Sequence, residues 1–384
     1  MKFIANIAPN DMMTKRYLLR NALVLTIPCL FLFMVSCKKD SKTNNNGGVT
    51  PVGTPTKLGF YEVDSSIYKV LLEPVTKLGT QSINYDLVFD TGSGGLVIDA
   101  NGILPANMIT SSGFNFTGDS TVVDGITITK WADTIAYGDD NATTDKVYGN
   151  LAYANVTIGD ANGNISVKRL PFFLYYKALD SKGTAFAAHD FDVFGVSPEY
   201  DLTFKNGAYI TSPFSYFDPG TGLTKGFKID ALGTANYSYN GTFVKAITLG
   251  LTSSDLSGGG YIMHPMSFVQ GEGYLPIFTA TLNYSGKSVS TSVLFDTGTE
   301  PYSYLEDKTA TNTTPVLLAA GTPVSISTTA GFDYSFTTAA DNNLTYIENP
   351  KYSGSDVSVL SLNFFTNVAY LLDFEGHQLG VKNN

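Results

Sequence analysis

An all-β protein of two related lobes is the fold this sequence predicts, and three observations carry the prediction. Short β-branched and aromatic runs separated by Gly, Asn and Asp turns fill the 384 residues, which include 37 Gly, 23 Tyr and 25 Phe. That is the pattern of many strands joined by tight connections. Long stretches rich in Ala, Leu, Glu and Lys are missing, which argues against a helical bundle. One phrase is written twice: Leu87-Val88-Phe89-Asp90-Thr91-Gly92-Ser93 returns as Val293-Leu294-Phe295-Asp296-Thr297-Gly298-Thr299. If the two halves fold alike and face each other about a pseudo-twofold axis, both carboxylates arrive at one point. The chain is long enough for two lobes with sizeable cores.

Along the chain, residues 1–37 read as a signal peptide. Lys15, Arg16 and Arg20 form a basic patch ahead of the apolar stretch 22–35. That stretch is short for a membrane span and ends in small residues, as a secretory signal does. Met34-Val35-Ser36-Cys37 resembles the lipobox of bacterial lipoproteins, with Met34 where Leu is usual. The resemblance implies cleavage before Cys37, acylation of its thiol and new amino group, and a lipid anchor in the bacterial cell envelope, at the outer membrane. Cys29 fits less well because Pro28 precedes it, and initiation at Met12 or Met13 would suit the signal better. Residues 38–57 are polar with Pro and Gly and read as a flexible tether. Residues 58–222 form the first lobe, with strand-like runs from Tyr68-Lys69-Val70-Leu71-Leu72 onward, and turn-rich Asp218-Pro219-Gly220-Thr221-Gly222 marks its end. Residues 223–384 form the second, closing on the apolar run Val368-Ala369-Tyr370-Leu371-Leu372-Asp373-Phe374.

Beyond Cys37 there is no cysteine, so the folded part relies on core burial and not on disulfides. The net charge is −10, and Arg169 is the only arginine after residue 37. Basic clusters able to meet phosphates are missing, which argues against nucleic-acid binding.

The repeated phrase carries the chemistry. Two carboxyl groups in contact cannot easily both ionise, so one stays protonated while the other is charged. Asp90 and Asp296 are then an acid and a base side by side, able to activate a water without metal or cofactor. Thr91 and Thr297 have hydroxyls that can bond across the axis. Gly92 and Gly298 let the backbone approach and offer amide hydrogens to the carboxylates. Ser93 and Thr299 are placed to donate to the outer carboxylate oxygens. A lone Asp-Thr-Gly is usually a turn. Two, each after an apolar strand and before a second hydroxyl, are specific.

These residues, with others in the expected order over residues 58–384, resemble the pepsin-like aspartic peptidases. Ile135-Ala136-Tyr137-Gly138 falls where that family carries its flap, a hairpin whose Tyr closes over substrate. Phe191-Asp192-Val193-Phe194-Gly195-Val196 matches the apolar-apolar-Gly motif that threads behind the first catalytic loop. Val359-Leu360-Ser361-Leu362-Asn363-Phe364-Phe365 takes the corresponding place in the second half. Tyr370-Leu371-Leu372-Asp373-Phe374 with Gln378-Leu379-Gly380-Val381 resembles the family's closing strand pair. The resemblance implies a bilobal pepsin-like fold, with a central substrate cleft and Tyr137 and Gly138 in the flap. It also implies a monomeric aspartic endopeptidase acting on peptide or protein substrates. Three departures stand out: Val97 replaces a Trp that bonds the flap Tyr, Ser361 replaces a Gly, and Glu300-Pro301 replaces Ser and a small apolar residue. A further carboxylate at Glu300, pointing inward, would raise the pair's proton affinity by like-charge repulsion.

Other chemistries find less support. His189, His264 and His377 lack metal-ligand spacing, so no metal is expected, and His189 reads as a surface or turn histidine. His189-Asp190 has no Gly-x-Ser-x-Gly elbow beside it. Gly92-Ser93-Gly94-Gly95 and Gly258-Gly259-Gly260 lack the Lys of a phosphate loop and read as turns. Trp131 reads as a packing residue. The alternative to an enzyme is a lipoprotein that keeps the fold and binds peptide or glycan in the cleft without cleaving it. An envelope scaffold with a closed cleft is a third reading.

Overall fold

The computed structural model describes residues 53–64, 69–138, 144–233, 238–299, 302–340 and 344–383. The signal peptide, Cys37 and most of the tether lie outside the described residues, as do Glu300 and Pro301. Nearly every described element is a strand, and the few helices are one turn or little more.

The first lobe is a closed barrel. Lys69–Leu78 pairs with Gln81–Asp90, and the sheet continues through Val193–Val196, Gly94–Asp99, Gly163–Leu179 and Asp145–Asp160 back to Lys69–Leu78. Closure removes the exposed edges that an open sheet would present. The innermost strands are buried at every position, as in Gly94–Asp99 and Val193–Val196; Gly94 and Gly95, read as part of a turn in the sequence, instead begin the first of them, paired with Val196 and Gly195. Ile126–Tyr137, on the outside, alternates Ile126, Ile128, Ile135 and Tyr137 inward with polar residues outward, the period of a strand with one wet face.

The second lobe centres on an eight-stranded sheet containing Lys287–Phe295, Val357–Leu360 and Tyr302–Glu306 as neighbours. It repeats the first lobe's central arrangement. Val193–Val196 lies parallel to Gln81–Asp90 and antiparallel to Gly94–Asp99. Val357–Leu360 lies parallel to Lys287–Phe295 and antiparallel to Tyr302–Glu306. The two halves are thus the same design used twice: the all-β, bilobal pepsin-like fold.

One element departs from the order read along the sequence: Thr56 and Lys57, assigned to the tether, already belong to the strand Thr56–Asp64, pairing with Leu249 and Thr248. The closing run Val368–Asp373 forms the expected pair with Gln378–Asn383 and also pairs with Thr224–Ile229, outside the eight-stranded sheet. Through Thr242–Leu251 and Thr56–Asp64 it joins the sheet that forms the first barrel. All six of its residues are buried, so it needs strand partners on both sides.

A row of rings runs between the strands that bear the two aspartates. Phe89 packs on Phe214 (6.4 Å between centroids), Phe214 on Phe227 (5.2 Å), Phe227 on Tyr370 (6.3 Å) and Tyr370 on Phe295 (6.5 Å). All five are buried. The residue before each aspartate therefore stands on one shared core, and Phe227 is the middle of the row. Phe227→Ala should cost about 3–5 kcal/mol in urea unfolding. Val122→Ala, at a side chain 65% exposed, should stay within about 0.5 kcal/mol.

Candidate active site

Asp90 ends the strand Gln81–Asp90, and Asp296 directly follows Lys287–Phe295. The threading segment pins each loop from behind. Gly195 faces Asp90 in parallel register, and the Asp296 amide donates to the Leu360 carbonyl at 2.9 Å. A Cβ on Gly195 would stand 2.7 Å from the Ser93 carbonyl oxygen, so only glycine fits there. In the second half Ser361 is accommodated because Ser303 turns toward it. The Ser361 amide donates to Ser303 Oγ at 3.1 Å, and Ser303 Oγ donates to Ser361 Oγ at 3.4 Å.

The threonines join the loops across the axis. Each amide donates to the other's hydroxyl, Thr91 N to Thr297 Oγ1 and Thr297 N to Thr91 Oγ1, both at 3.1 Å. Each hydroxyl then donates to a carbonyl of the opposite strand, Thr91 Oγ1 to Phe295 O at 2.8 Å and Thr297 Oγ1 to Phe89 O at 2.6 Å. All four groups are buried, so leaving any one unmade would be costly.

The glycines sit against the opposite acids. A Cβ on Gly92 would stand 2.4 Å from the Asp296 carboxyl carbon, and one on Gly298 would stand 3.2 Å from that of Asp90. The amides serve their own sides: Gly92 N donates to Asp90 Oδ1 and Gly298 N to Asp296 Oδ1, each at 2.7 Å. The outer donors differ. Ser93 Oγ donates to Asp90 Oδ2 at 2.5 Å, whereas Thr299 Oγ1 donates to the main-chain carbonyl of Asp296 at 3.1 Å. Among the described residues, the Ser93-type bond to a carboxylate oxygen is therefore seen on one aspartate only.

Both carboxyls are almost fully buried, at 3% and 4% exposure. Burial pushes the Asp296 carboxyl well above the usual carboxylate range. The Asp90 charge and a hydrogen bond with Asp90 push the same way, the Gly298 amide opposes them, and Glu199 adds a further upward push. Two carboxyls this deeply buried and coupled act as a unit, able to hold one proton between them.

Tyr137 stands at the described end of the hairpin strand Ile126–Tyr137, opposite Asp145, and Gly138 follows with φ +118°, a backbone that favours glycine. The Tyr137 ring is buried against Phe191, 5.3 Å between centroids, in a cluster that includes Val97. Burial, then the charges of Asp201 and Asp90, hold its phenol well above its usual range. Trp131 packs half-buried on the same cluster.

Several groups were missed or misplaced in the sequence. His189 does lie in a turn, with φ +62°, but its ring is inside. Nδ1 meets Asp192 Oδ2 and Nε2 meets the Asn101 carbonyl, both at 2.7 Å, and the ring stacks on Tyr85 at 3.7 Å. It braces the segment before the threading strand. The inward carboxylate expected at Glu300 falls outside the described residues; Glu199 supplies a like charge to Asp296. Its one sequence signal is position: Glu199 and Asp201 lie just beyond Phe194-Gly195-Val196, the run that passes behind the Asp90 loop.

No protein-family model and no curated protein sequence matches the chain. Solved structures do. The aspartic proteinase from Irpex lacteus aligns with a TM-score of 0.53 and 16% identity, over 85% of this chain and 97% of its own. Conglutin gamma, a unique basic 7S globulin from lupine seeds, aligns with a TM-score of 0.53 and 12% identity, over 86% and 96%. At such identities the likeness is one of fold, and it supports the bilobal pepsin-like architecture.

Gly92→Ala should displace the Asp296 carboxyl and destabilise the protein by about 1–3 kcal/mol. Gly258→Ala, whose added methyl finds its nearest neighbour at 3.7 Å, should leave the urea midpoint nearly unchanged.

Proposed function

We propose that the chain is an aspartic-type endopeptidase that hydrolyses peptide bonds with a water activated between Asp90 and Asp296. The observation that carries this reading is the reciprocal bonding of Thr91 and Thr297, which brings two buried carboxyls to one point from opposite halves. A metal or cofactor has no required step in this chemistry. The ionised member takes a proton from the water as the water's oxygen attacks the scissile carbonyl. The protonated member donates to the carbonyl oxygen, giving a tetrahedral diol, and proton transfer to the amide nitrogen releases the amine. The pair holds its proton as a unit, with burial and the Asp90 charge pushing the Asp296 carboxyl up. Tyr137 and Gly138, at the described end of the hairpin strand, belong in this reading to a flap that closes over a peptide and excludes bulk water.

The lipid anchor and envelope location are part of the same reading and rest on Met34-Val35-Ser36-Cys37 and the polar stretch after it. Labelled palmitate should enter the wild type in cells and not Cys37→Ala, which should move to the soluble fraction. Equal labelling of both would remove the anchor.

A second reading, a fold that binds peptide or glycan without cutting, is favoured by one observation. Thr299 bonds a main-chain carbonyl, so among the described residues the hydroxyl donor that Asp90 has from Ser93 is not matched at Asp296. Cleavage of an unfolded protein between pH 3 and 7 separates the two. Asp90→Asn and Asp296→Asn should each lower the rate by about 10²–10⁴-fold. Full activity in either variant refutes the mechanism. A wild type that binds a hydroxyl-bearing transition-state mimic yet cuts nothing establishes the binding protein.

A further inference from the structure

The turn ahead of the threading strand holds a His–Asp pair that the mechanism above does not use. The Asp192 side chain is 1% exposed and that of His189 11%. Two donors reach Asp192 Oδ1, the Asp99 amide at 2.8 Å and the Tyr175 hydroxyl at 3.0 Å. His189 Nδ1 stands 2.7 Å from Oδ2, and Nε2 stands 2.7 Å from the main-chain carbonyl of Asn101. A carbonyl oxygen only accepts, so Nε2 carries a hydrogen, and a neutral imidazole has no second one to give. The contact of Nδ1 with Asp192 therefore needs a further proton. With two donors already on Oδ1 the carboxyl is equipped to stay ionised, which leaves that proton on the ring.

Every element around the ring takes part. Tyr85, from Gln81–Asp90, stacks on it at 3.7 Å. The Asp99 carboxylate, at the end of Gly94–Asp99, accepts the His189 amide at 3.2 Å and the Asn101 amide at 2.9 Å. Tyr175 comes from Gly163–Leu179, and Asp190 follows in the turn. His189 has φ +62°, a left-handed backbone that a residue other than glycine keeps only where its surroundings hold it. Burial pushes the ring down, but the hydrogen bond and charge of Asp192, the Asn101 carbonyl and the Asp99 charge outweigh it and hold His189 above its ordinary value. Burial pushes Asp192 up against donation from His189, the Asp99 amide and Tyr175. Both directions keep the proton in the pair.

Asp192 is also the root of the threading strand. Its carbonyl accepts the Val88 amide at 3.0 Å, and Val193, Phe194 and Gly195 then run in parallel register beside Val88, Phe89 and Asp90. Loss of the ring's charge would leave a buried carboxylate with one partner fewer at that root.

We propose that His189 is a positioning residue for Asp90: as an imidazolium at neutral pH it fixes Asp192, and through Asp192 the strand that supports the Asp90 loop. Its effect on catalysis rests on the endopeptidase reading, but the proton on the ring does not. Because the folded ring is held above the ordinary histidine value of 6.5, its stabilisation is complete below that pH and is lost as pH rises through the folded value.

Long-range proton–nitrogen-15 NMR of histidine-labelled protein reads the ring directly, and with three histidines in the chain His189→Gln assigns it. Both ring nitrogens of His189 should be protonated at pH 7, and Asp192→Asn should bring the ring's titration down. A ring that is neutral at pH 7 overturns the proposal, as does a titration that Asp192→Asn leaves in place. If neither variant folds, His264→Gln and His377→Gln identify the His189 signals by elimination, and the wild-type ring decides alone. The wild-type urea midpoint should fall through the same pH range, and that of His189→Gln should not follow it. The wild-type to His189→Gln ratio of kcat/KM should be greatest below the titration and close toward one above it. A ratio that is the same at every pH is what a merely structural loss gives, and it overturns the positioning role. A protonated ring with the matching urea profile, in a protein that cuts no peptide, removes the endopeptidase reading and leaves this brace standing. Cleavage with a neutral ring does the reverse.

Discussion

Everything in the centre of this molecule depends on the reciprocal hydrogen bonding of Thr91 and Thr297. Two acidic loops from different lobes would drift apart if nothing held them, because burying paired carboxylates is unfavourable and like charges repel. The threonines oppose that with four buried bonds, each contributing about 0.5–1.5 kcal/mol net and more if left unsatisfied. Because each hydroxyl both accepts an amide and donates to a carbonyl, neither loop can shift without breaking two bonds at once. Val cannot substitute, having the shape without the hydroxyl, and Ser would lack the methyl that fixes the rotamer.

The surrounding fold serves this joint. Val193–Val196 and Val357–Leu360 thread beside the two aspartate strands and carry their ends to the same depth. Phe89 and Phe295 are tied through Phe214, Phe227 and Tyr370, so the floor under both loops is one packed unit. Thr56–Asp64 and Val368–Asp373 place the two ends of the folded chain in one sheet that spans both halves. A rigid joint of this kind costs no reorganisation when charge develops on a bound carbonyl, which is the condition for electrostatic catalysis.

How much of this was legible in the sequence follows from how local each feature is. The paired phrase was readable because apolar strand, acid, hydroxyl and glycine are consecutive, and a loop of four residues nearly fixes its own shape. The all-β class was readable for the same reason, since alternation in Ile126–Tyr137 and the unbroken run Val193–Val196 are short-range patterns. The Thr299 bond to a carbonyl was not, because a rotamer decides it. The upward push of Glu199 on Asp296 was not, because the two are far apart along the chain. His189 lies in a turn as read, but its enclosure was not legible, because the Asn101 carbonyl comes from a distant turn and the Tyr85 ring from another strand. Ser361 looked like an intrusion until Ser303, across the strand pair, proved to receive it.

What matters most is whether one hydrogen really is divided between the two acids. Neutron diffraction from a deuterated crystal near neutral pH would locate it. A single deuterium between facing oxygens of Asp90 and Asp296, with Thr91 and Thr297 hydroxyls pointing at the opposite carbonyls, is the expected map. Two bare carboxylates, or carboxyls turned away from each other with the threonine hydroxyls bonded elsewhere, would refute the structural basis of the proposed chemistry.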